Sequence, residues 1–239
     1  MRRRSYRLLT IDLDDTLWPC GPVIAAAERA LYDWLSAVAP RLTAAHDPAS
    51  LRAHRGRWMT GAPEQAHDLT RVRRESLRVV LAEHGYPRTL ADEGVELFRR
   101  HRNRVEPYAE VEPVLRRLLD RYLLVSVTNG NVQLERTPLR GLFHHSLSAA
   151  DVGAAKPDPA LFRRALEWAG VDPAQCLHIG DDPLRDIEAA GRLGIDGVWV
   201  NRSGSTWPEG VRPPLLEVSD LGELQDRFLL QPRSSSDHT

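Results

Sequence analysis

Residues 6–18 read YRLLTIDLDDTLW, a mostly apolar run that passes abruptly into a cluster of acids. The run from Tyr6 to Ile11 has the length and composition of a buried β-strand. Asp12, Asp14 and Asp15 follow at its carboxyl end. This stretch therefore predicts a strand inside the protein that presents several carboxylates at one edge of a sheet.

Beyond Pro107 the sequence alternates between helical and strand patterns, which is typical of an α/β protein. Such alternation predicts a Rossmann-like, doubly wound parallel sheet, and sites in these folds lie at the carboxyl ends of the strands. The predicted helices cover Val111 to Arg121, Gln133 to Leu139, Pro159 to Ala169 and Leu184 to Leu193, and the predicted strands cover Leu123 to Thr128, His145 to Ser148, Cys176 to Ile179 and Gly197 to Val200.

The segment between residues 22 and 106 has a different, helical pattern. Apolar residues recur at helical spacing there, and Pro- or Gly-containing breaks near Pro40, Pro48, Gly61 and Gly85 divide the segment. We expect four helices and no strand. The predicted organisation is a core made of residues 1–21 and 107–230, a helical insert of residues 22–106, and a disordered polar tail at residues 231–239.

Composition excludes several classes of protein. The chain has 239 residues, of which 42% are hydrophobic and 27% charged, and no apolar run is long enough for a membrane span. The net charge of −1 gives no indication of nucleic-acid binding. Cys20 and Cys176 are too few for a disulfide framework, so a cytoplasmic location is expected.

Polar residues follow three of the predicted strands. They are Asp12 and Asp14, then the sequence Thr128-Asn129-Gly130, then the sequence Gly180-Asp181-Asp182. Several carboxylates at one edge of a sheet would repel each other unless a hard cation joined them, and oxygen ligands favour Mg²⁺. A carboxylate held in this way can act as a nucleophile.

The single lysine is a further candidate. Of the 32 basic residues, 31 are arginine and one is Lys156. Because the composition replaces lysine by arginine almost everywhere, a retained lysine indicates a position where a compact ammonium is needed.

Together these motifs resemble those of the haloacid dehalogenase superfamily of aspartate-nucleophile phosphatases. The ordered motifs are Ile11 to Leu17, Val127 to Asn129, Lys156-Pro157 and Gly180 to Asp186. The helical insert after the first motif is similar to the C1 cap of that family. The match extends more loosely to the bacterial branch that dephosphorylates FMN and the phosphoribitylaminouracil intermediate of riboflavin synthesis.

The resemblance implies a role for each aspartate. Asp12 would attack phosphorus to form an aspartyl-phosphate, while Asp14 would protonate the leaving oxygen and then activate water. Mg²⁺ would be held by Asp12, by the main-chain carbonyl of Asp14 and by Asp181. Asp182 and Asp186 would support these ligands, although Asp186 could instead cap a helix.

The resemblance also implies how the phosphoryl group is bound. Thr128, Asn129 and Lys156 would contact its oxygens. The substrate is then a small phosphate monoester. Because the dehalogenases need no acid two residues after the nucleophile, Asp14 favours phosphate hydrolysis. Two alternatives stay open: a phosphomutase, and a non-catalytic regulator that binds phosphate or Mg²⁺.

Arginines of the insert are candidates for substrate recognition. The insert has 14 arginines against 11 acidic residues, a charge of +3, which leaves −4 for the rest of the chain. Arg71 and Arg74 share one face of a predicted helix, and could approach the anionic substrate from above the site. The alternative is a solvated helix face supported by neighbouring acids.

Overall fold

The computed structural model describes residues 5–226. Its framework is a single six-stranded sheet in the order β3-β2-β1-β4-β5-β6, in which every neighbouring pair is parallel. This confirms the predicted Rossmann-like sheet. The predicted tail at residues 231–239 lies outside the described residues.

The strands agree closely with the prediction, and two of them begin and end at the predicted residues. A short edge strand, β6, is not predicted, because three residues are too few to show a periodic pattern. The six strands are β1 (Leu8–Ile11), β2 (Leu123–Thr128), β3 (His145–Ser148), β4 (Cys176–Gly180), β5 (Asp196–Val200) and β6 (Leu216–Val218).

Ten α-helices accompany the sheet in residues 5–226. Those before β2 are α1 (Cys20–Val38), α2 (Pro40–Ala45), α3 (Pro48–Gly61), α4 (Leu69–Glu83), α5 (Leu90–Arg102) and α6 (Val111–Leu119). Those after β3 are α7 (Ala149–Val152), α8 (Ala160–Ala169), α9 (Ala189–Gly191) and α10 (Leu221–Leu224). No helix of these residues is long and apolar enough to cross a membrane.

Strand β1 lies in the middle of the sheet, and all four of its residues are buried. It pairs with β2 on one side and with β4 on the other. Its side chains alternate between two apolar layers, so that Leu9 faces α6 and α10 while Leu8 faces α7, α8 and α9. The carboxyl ends of β1, β2 and β4 therefore lie side by side at the centre of one edge of the sheet.

The segment between β1 and α6 contains only helices among its described elements, but they are five rather than the predicted four. The extra one is α2, a short helix that starts at Pro40 because Ala39, at φ −138° and ψ 56°, leaves the helical region and ends α1. The first helix begins at Cys20, before the predicted Pro22. These helices bury an apolar cluster of their own, which includes Leu35 and Phe98.

Two predicted helices differ from the structure. Between Gln133 and Leu139 only a 3₁₀ turn forms (Leu134–Arg136), because Pro138 lacks an N–H group and keeps Thr137 out of the helical region. The helix predicted from Leu184 starts as a π-helix, Pro183–Glu188, and continues as α9. Turns of this wider kind are frequent at functional sites.

Candidate active site

The structure brings Asp12, Lys156, Asp181 and Asp186 together at the carboxyl edge of the sheet. Asp12 leaves β1 with its main-chain N–H donating to the carbonyl of Ile179, 2.9 Å away, so the ladder between β1 and β4 extends to the catalytic candidate. Asp12 is only 7% exposed. The carboxylates of Asp12, Asp181 and Asp186 offer oxygens that lie within 4.8 Å of one another.

Lys156 ties this cluster together. Its Nζ donates to Asp12 Oδ1 and to Asp186 Oδ1, each at 2.5 Å, and to the carbonyl of Val127 at 2.9 Å. All three ammonium hydrogens are therefore used. Burial alone would lower the pKa of Lys156, but the two carboxylates outweigh it and raise that pKa above its ordinary value.

The acids of the cluster differ in their protonation equilibria. Burial raises the pKa of Asp12 well above its ordinary value, and Lys156 opposes this only in part. Burial, together with the charge of Asp186, raises the pKa of Asp181 to about 7. For Asp186, the nearby Lys156 and His178 overcome the effect of burial and lower the pKa. The effect of Lys156 thus outweighs burial at Asp186 but not at Asp12.

Neighbouring side chains fix Asp181 and Asp182 in different roles. Asp181 Oδ1 accepts a hydrogen bond of 2.9 Å from the hydroxyl of Thr16, and its carbonyl accepts one of 2.7 Å from the indole of Trp199. Asp182 instead caps the following helix by accepting from the main-chain N–H groups of Leu184 and Arg185, both at 2.8 Å. The sequence allows Asp186 as the cap of this helix, but the capping residue is Asp182.

Asp186 is closer to the centre of the site than the sequence predicts. It is 1% exposed, and its Oδ2 accepts from the main-chain N–H of Asp182 at 3.0 Å. On its other side His178 Nε2 lies 3.2 Å from Asp186 Oδ1, although not in hydrogen-bonding geometry. Burial lowers the pKa of His178, which favours a neutral ring behind the cluster.

Thr128 and Asn129 stand at the end of β2. Thr128 is 2% exposed, and its hydroxyl oxygen accepts from the N–H of Gly130 at 2.9 Å. The amide of Asn129 makes two hydrogen bonds with the main chain of Lys156, at 2.7 and 2.9 Å. The Asn129 side chain, predicted to face the phosphoryl group, is thus engaged in holding the lysine segment.

Asp14 points to a separate pair of partners. Its Oδ1 accepts from the indole N–H of Trp18 at 2.9 Å, and its Oδ2 accepts from Nη2 of Arg102 at 2.5 Å. A Cβ placed on Gly130 would lie 2.7 Å from Asp14 Oδ2 and 3.1 Å from the hydroxyl of Thr128. A glycine at position 130 therefore lets the chain after β2 pass close to this carboxylate.

The two arginines predicted to bind substrate are not joined to this cluster. Arg74 forms an ion pair of 3.0 Å with Asp92 of α5, an acid that the sequence pattern does not single out. Arg71 is exposed in the first turn of α4. Its neighbour Thr70 does reach the core, since its hydroxyl accepts a hydrogen bond of 3.1 Å from Asn131.

Several site contacts are not predicted from the sequence. Trp18 and Thr16 lie within the first motif, so their proximity could have been inferred from the chain itself. Arg102 and Trp199 give no local signal, because their partners are 88 and 18 positions away in the sequence.

The donor set at the sheet edge suits a hard divalent cation. Three carboxylates against one ammonium leave two negative charges in a buried place, and every candidate ligand is an oxygen. Burial raises the pKa values of Asp12 and Asp181, and a bound cation would oppose that effect by stabilising both carboxylates. The residues present therefore fit Mg²⁺.

The chain is similar to known proteins over most of its length. A family model described as haloacid dehalogenase-like hydrolase matches residues 6–194. The chain is 31% identical to the 5-amino-6-(5-phospho-D-ribitylamino)uracil phosphatase YigB of Escherichia coli, covering 90% of this chain and 93% of the relative. It is 32% identical to a phosphoserine phosphatase of Thermus thermophilus, covering 94% of this chain and 99% of the relative.

Solved structures share the fold over almost the whole chain. A 2-haloacid dehalogenase from Pseudomonas syringae pv. Tomato DC3000 has a TM-score of 0.87 and 38% identity, covering 92% of this chain and 97% of that one. The putative HAD-hydrolase YfnB from Bacillus subtilis, bound to magnesium, has a TM-score of 0.67 and 21% identity, covering 93% of this chain and 98% of that one. With a family model matched over most of its length, the chain belongs to the haloacid dehalogenase-like hydrolases.

Proposed function

We propose that the protein is a Mg²⁺-dependent phosphatase that hydrolyses a small-molecule phosphate monoester through an aspartyl-phosphate on Asp12. The observation that carries this proposal is the buried contact of Asp12 with Lys156 at the carboxyl end of β1, beside Asp181 and Asp186. Full-length similarity to two proteins named as phosphatases supports it.

In this proposal each residue has a defined task. An oxygen of Asp12 attacks phosphorus as the bond from phosphorus to the leaving oxygen breaks. Asp14 gives its proton to that leaving oxygen, and then accepts a proton from the water that attacks the aspartyl-phosphate. The second step releases inorganic phosphate, regenerates Asp12 and returns the proton to Asp14.

The surrounding residues bind and orient the groups that react. Lys156 keeps Asp12 in place and offsets negative charge, while Asn129 holds the lysine main chain. The hydroxyl of Thr128 accepts from Gly130 and can donate its own hydrogen to a phosphoryl oxygen. Asp12, the Asp14 carbonyl and Asp181, with Asp186 beside them, would hold Mg²⁺, which would supply electrostatic stabilisation of the phosphoryl oxygens.

Asp14 also decides between phosphate hydrolysis and dehalogenation, the activity named for one solved relative. A halide leaves as an anion and needs no proton, whereas the oxygen of an ordinary phosphate ester must be protonated as it leaves. Both oxygens of Asp14 are fixed by donors beside the Asp12 segment. Such a well-held acid has a task in ester hydrolysis and none in halide displacement.

Substrate choice belongs, in this proposal, to the helical insert acting as a cap. Thr70 of α4 contacts Asn131 in the loop after β2, so the first turn of α4 lies against the core close to the site. The proposed substrate class includes FMN and the phosphate intermediates of riboflavin synthesis, supported by the similarity to the phosphoribitylaminouracil phosphatase.

The test is a metal-dependence assay on a panel of phosphates. We expect phosphate release from p-nitrophenyl phosphate with Mg²⁺, complete loss in excess EDTA, and recovery when Mg²⁺ is restored. Sugar phosphates, nucleotides, phosphoserine and FMN extend the panel, and a 2-haloacid tests for halide release. Undiminished turnover in EDTA, or halide release without phosphatase activity, would contradict the proposal.

A further inference from the structure

Arg102 is a buried arginine at the end of the insert, and no motif of the sequence points to it. It occupies the last turn of α5, and it is 1% exposed. Arginine is rarely buried to this degree unless it is paired. Its partner is the carboxylate of Asp14, which Nη2 contacts at 2.5 Å.

The rest of the guanidinium group is poorly satisfied. Its Nε and Nη1 atoms are buried and have no hydrogen-bond partner in the part of the chain that the structure describes. A buried charge with so few partners is unfavourable for stability, and Phe98, one helical turn before Arg102, belongs to the apolar cluster of the insert. We therefore attribute the buried charge of Arg102 to its contact with Asp14.

This contact completes a two-sided grip on Asp14. Trp18 donates to one carboxylate oxygen and Arg102 to the other, so that the plane and direction of the carboxylate are fixed. The next residue, Asn103, binds the loop after β2 through two hydrogen bonds with Gln133, at 2.9 and 3.3 Å. The end of α5 is thus anchored to the catalytic loops on two sides.

We propose that Arg102 is a positioning residue that holds the Asp14 carboxylate in the orientation for proton transfer to the leaving oxygen. The inference rests on the proposed phosphatase function and deepens it. It gives the insert a part in the chemical step, besides substrate choice, because the position of the acid then depends on the last helix of the insert.

The dependence on leaving group separates this role from a merely structural one. Phenyl phosphate has a basic leaving oxygen that needs the proton, whereas 2,4-dinitrophenyl phosphate has a stable leaving anion that scarcely does. The quantity measured is kcat/KM, which reports the steps through aspartyl-phosphate formation. The ratio of the two values from one preparation is independent of how much of the enzyme is folded.

For Arg102→Gln we expect kcat/KM to fall by about 10- to 100-fold on phenyl phosphate and by less than about threefold on 2,4-dinitrophenyl phosphate. Arg102→Lys, which retains a charge of different shape, should shift the ratio in the same direction by a smaller amount. If Arg102→Gln does not fold, Arg102→Lys provides the same test. Arg100→Gln, an exposed arginine of the same helix turn, is the matched control and should leave the ratio unchanged.

A double-variant cycle completes the test. In an Asp14→Asn background the acid is already lost, so adding Arg102→Gln should leave the substrate ratio unchanged. An unchanged ratio in Arg102→Gln, whether both rates fall equally or neither falls, would overturn the role of Arg102. If instead the wild-type protein released no phosphate from either ester, the proposed function itself would fail, which is a distinguishable result.

Discussion

The sheet edge and the surface of α4 hold their charges in opposite ways. At the sheet edge the Lys156 side chain is 3% exposed and contacts Asp12, Asp186 and a main-chain carbonyl. On α4 the side chain of Arg74 is 33% exposed, and its partner Asp92 is 51% exposed. Exposed pairs of this kind contribute about 0–1 kcal/mol to stability, because water screens them.

This difference indicates where chemistry and substrate choice reside. Buried charges that share partners are held in one geometry, which is what a chemical step requires. The arginines on the surface of α4 are not fixed in that way, and their number alone is not evidence of a binding site. Of Arg71, Arg74 and Arg102, only Arg102 contacts a proposed catalytic group in the described part of the chain.

The largest expected effect tests the buried side of the comparison. Asp12→Asn should reduce kcat by about 10⁴-fold or more, because an amide of nearly the same shape cannot attack phosphorus. Initial rates on p-nitrophenyl phosphate measure this, with circular dichroism as a check of folding. Asp33→Asn, an exposed acid of α1, is the control and should keep full activity. Substantial turnover by Asp12→Asn would mean that another group is the nucleophile.

The next largest effect on activity is expected from Lys156→Arg. A planar guanidinium cannot reproduce three contacts made by one compact ammonium in a pocket this closed, so the change is damaging although it conserves charge. We expect a loss of about 1.5 to 3 kcal/mol in transition-state stabilisation, or roughly ten- to a hundredfold in kcat/KM. The reverse exchange at an exposed position, Arg140→Lys, should be neutral. Wild-type rates in Lys156→Arg would remove the reason given for the single lysine.

The smallest effects are expected from the α4 arginines, and they sharpen the comparison between the two regions. Arg74→Ala should change kcat/KM by less than about twofold on p-nitrophenyl phosphate and on FMN, because Arg74 is paired with Asp92. Arg71→Ala should leave the small ester unaffected but raise KM for FMN by a few-fold, if the first turn of α4 contacts the leaving group. Equal KM values for wild type and Arg71→Ala on every large substrate would assign Arg71 to the solvated surface as well.

The sequence predicts the central part of the molecule well because that part is decided by local patterns. The mostly apolar run of β2 indicates a strand buried on both faces, and its limits, Leu123 and Thr128, are those that the pattern predicts. The acids after β1 and β4 also follow directly from their positions at strand ends. Parallel strands must place such residues at the same edge.

Long-range contacts explain what could not be predicted. The partner of Arg102 is 88 positions away, and the engagement of Asn129 with the main chain of Lys156 depends on a loop whose path no pattern specifies. The helix predicted at Gln133 is wrong for a different reason, since Pro138 limits the segment to a 3₁₀ turn despite its apolar spacing. Local rules thus locate the acids and the composition singles out the lysine, whereas the side-chain contacts depend on the folded chain.

The central claim is that Asp12 carries the phosphoryl group during turnover, and trapping of the phosphorylated enzyme tests it most directly. In Asp14→Asn the hydrolysis of the aspartyl-phosphate is slowed, so 2,4-dinitrophenyl phosphate, which needs no acid to leave, should load the enzyme. After an acid quench, mass spectrometry of the peptides should show one added phosphoryl group on Asp12, absent when Asp12→Asn is combined with Asp14→Asn. A phosphoryl group on another residue, or burst-free turnover with no phosphorylated enzyme, would contradict the account.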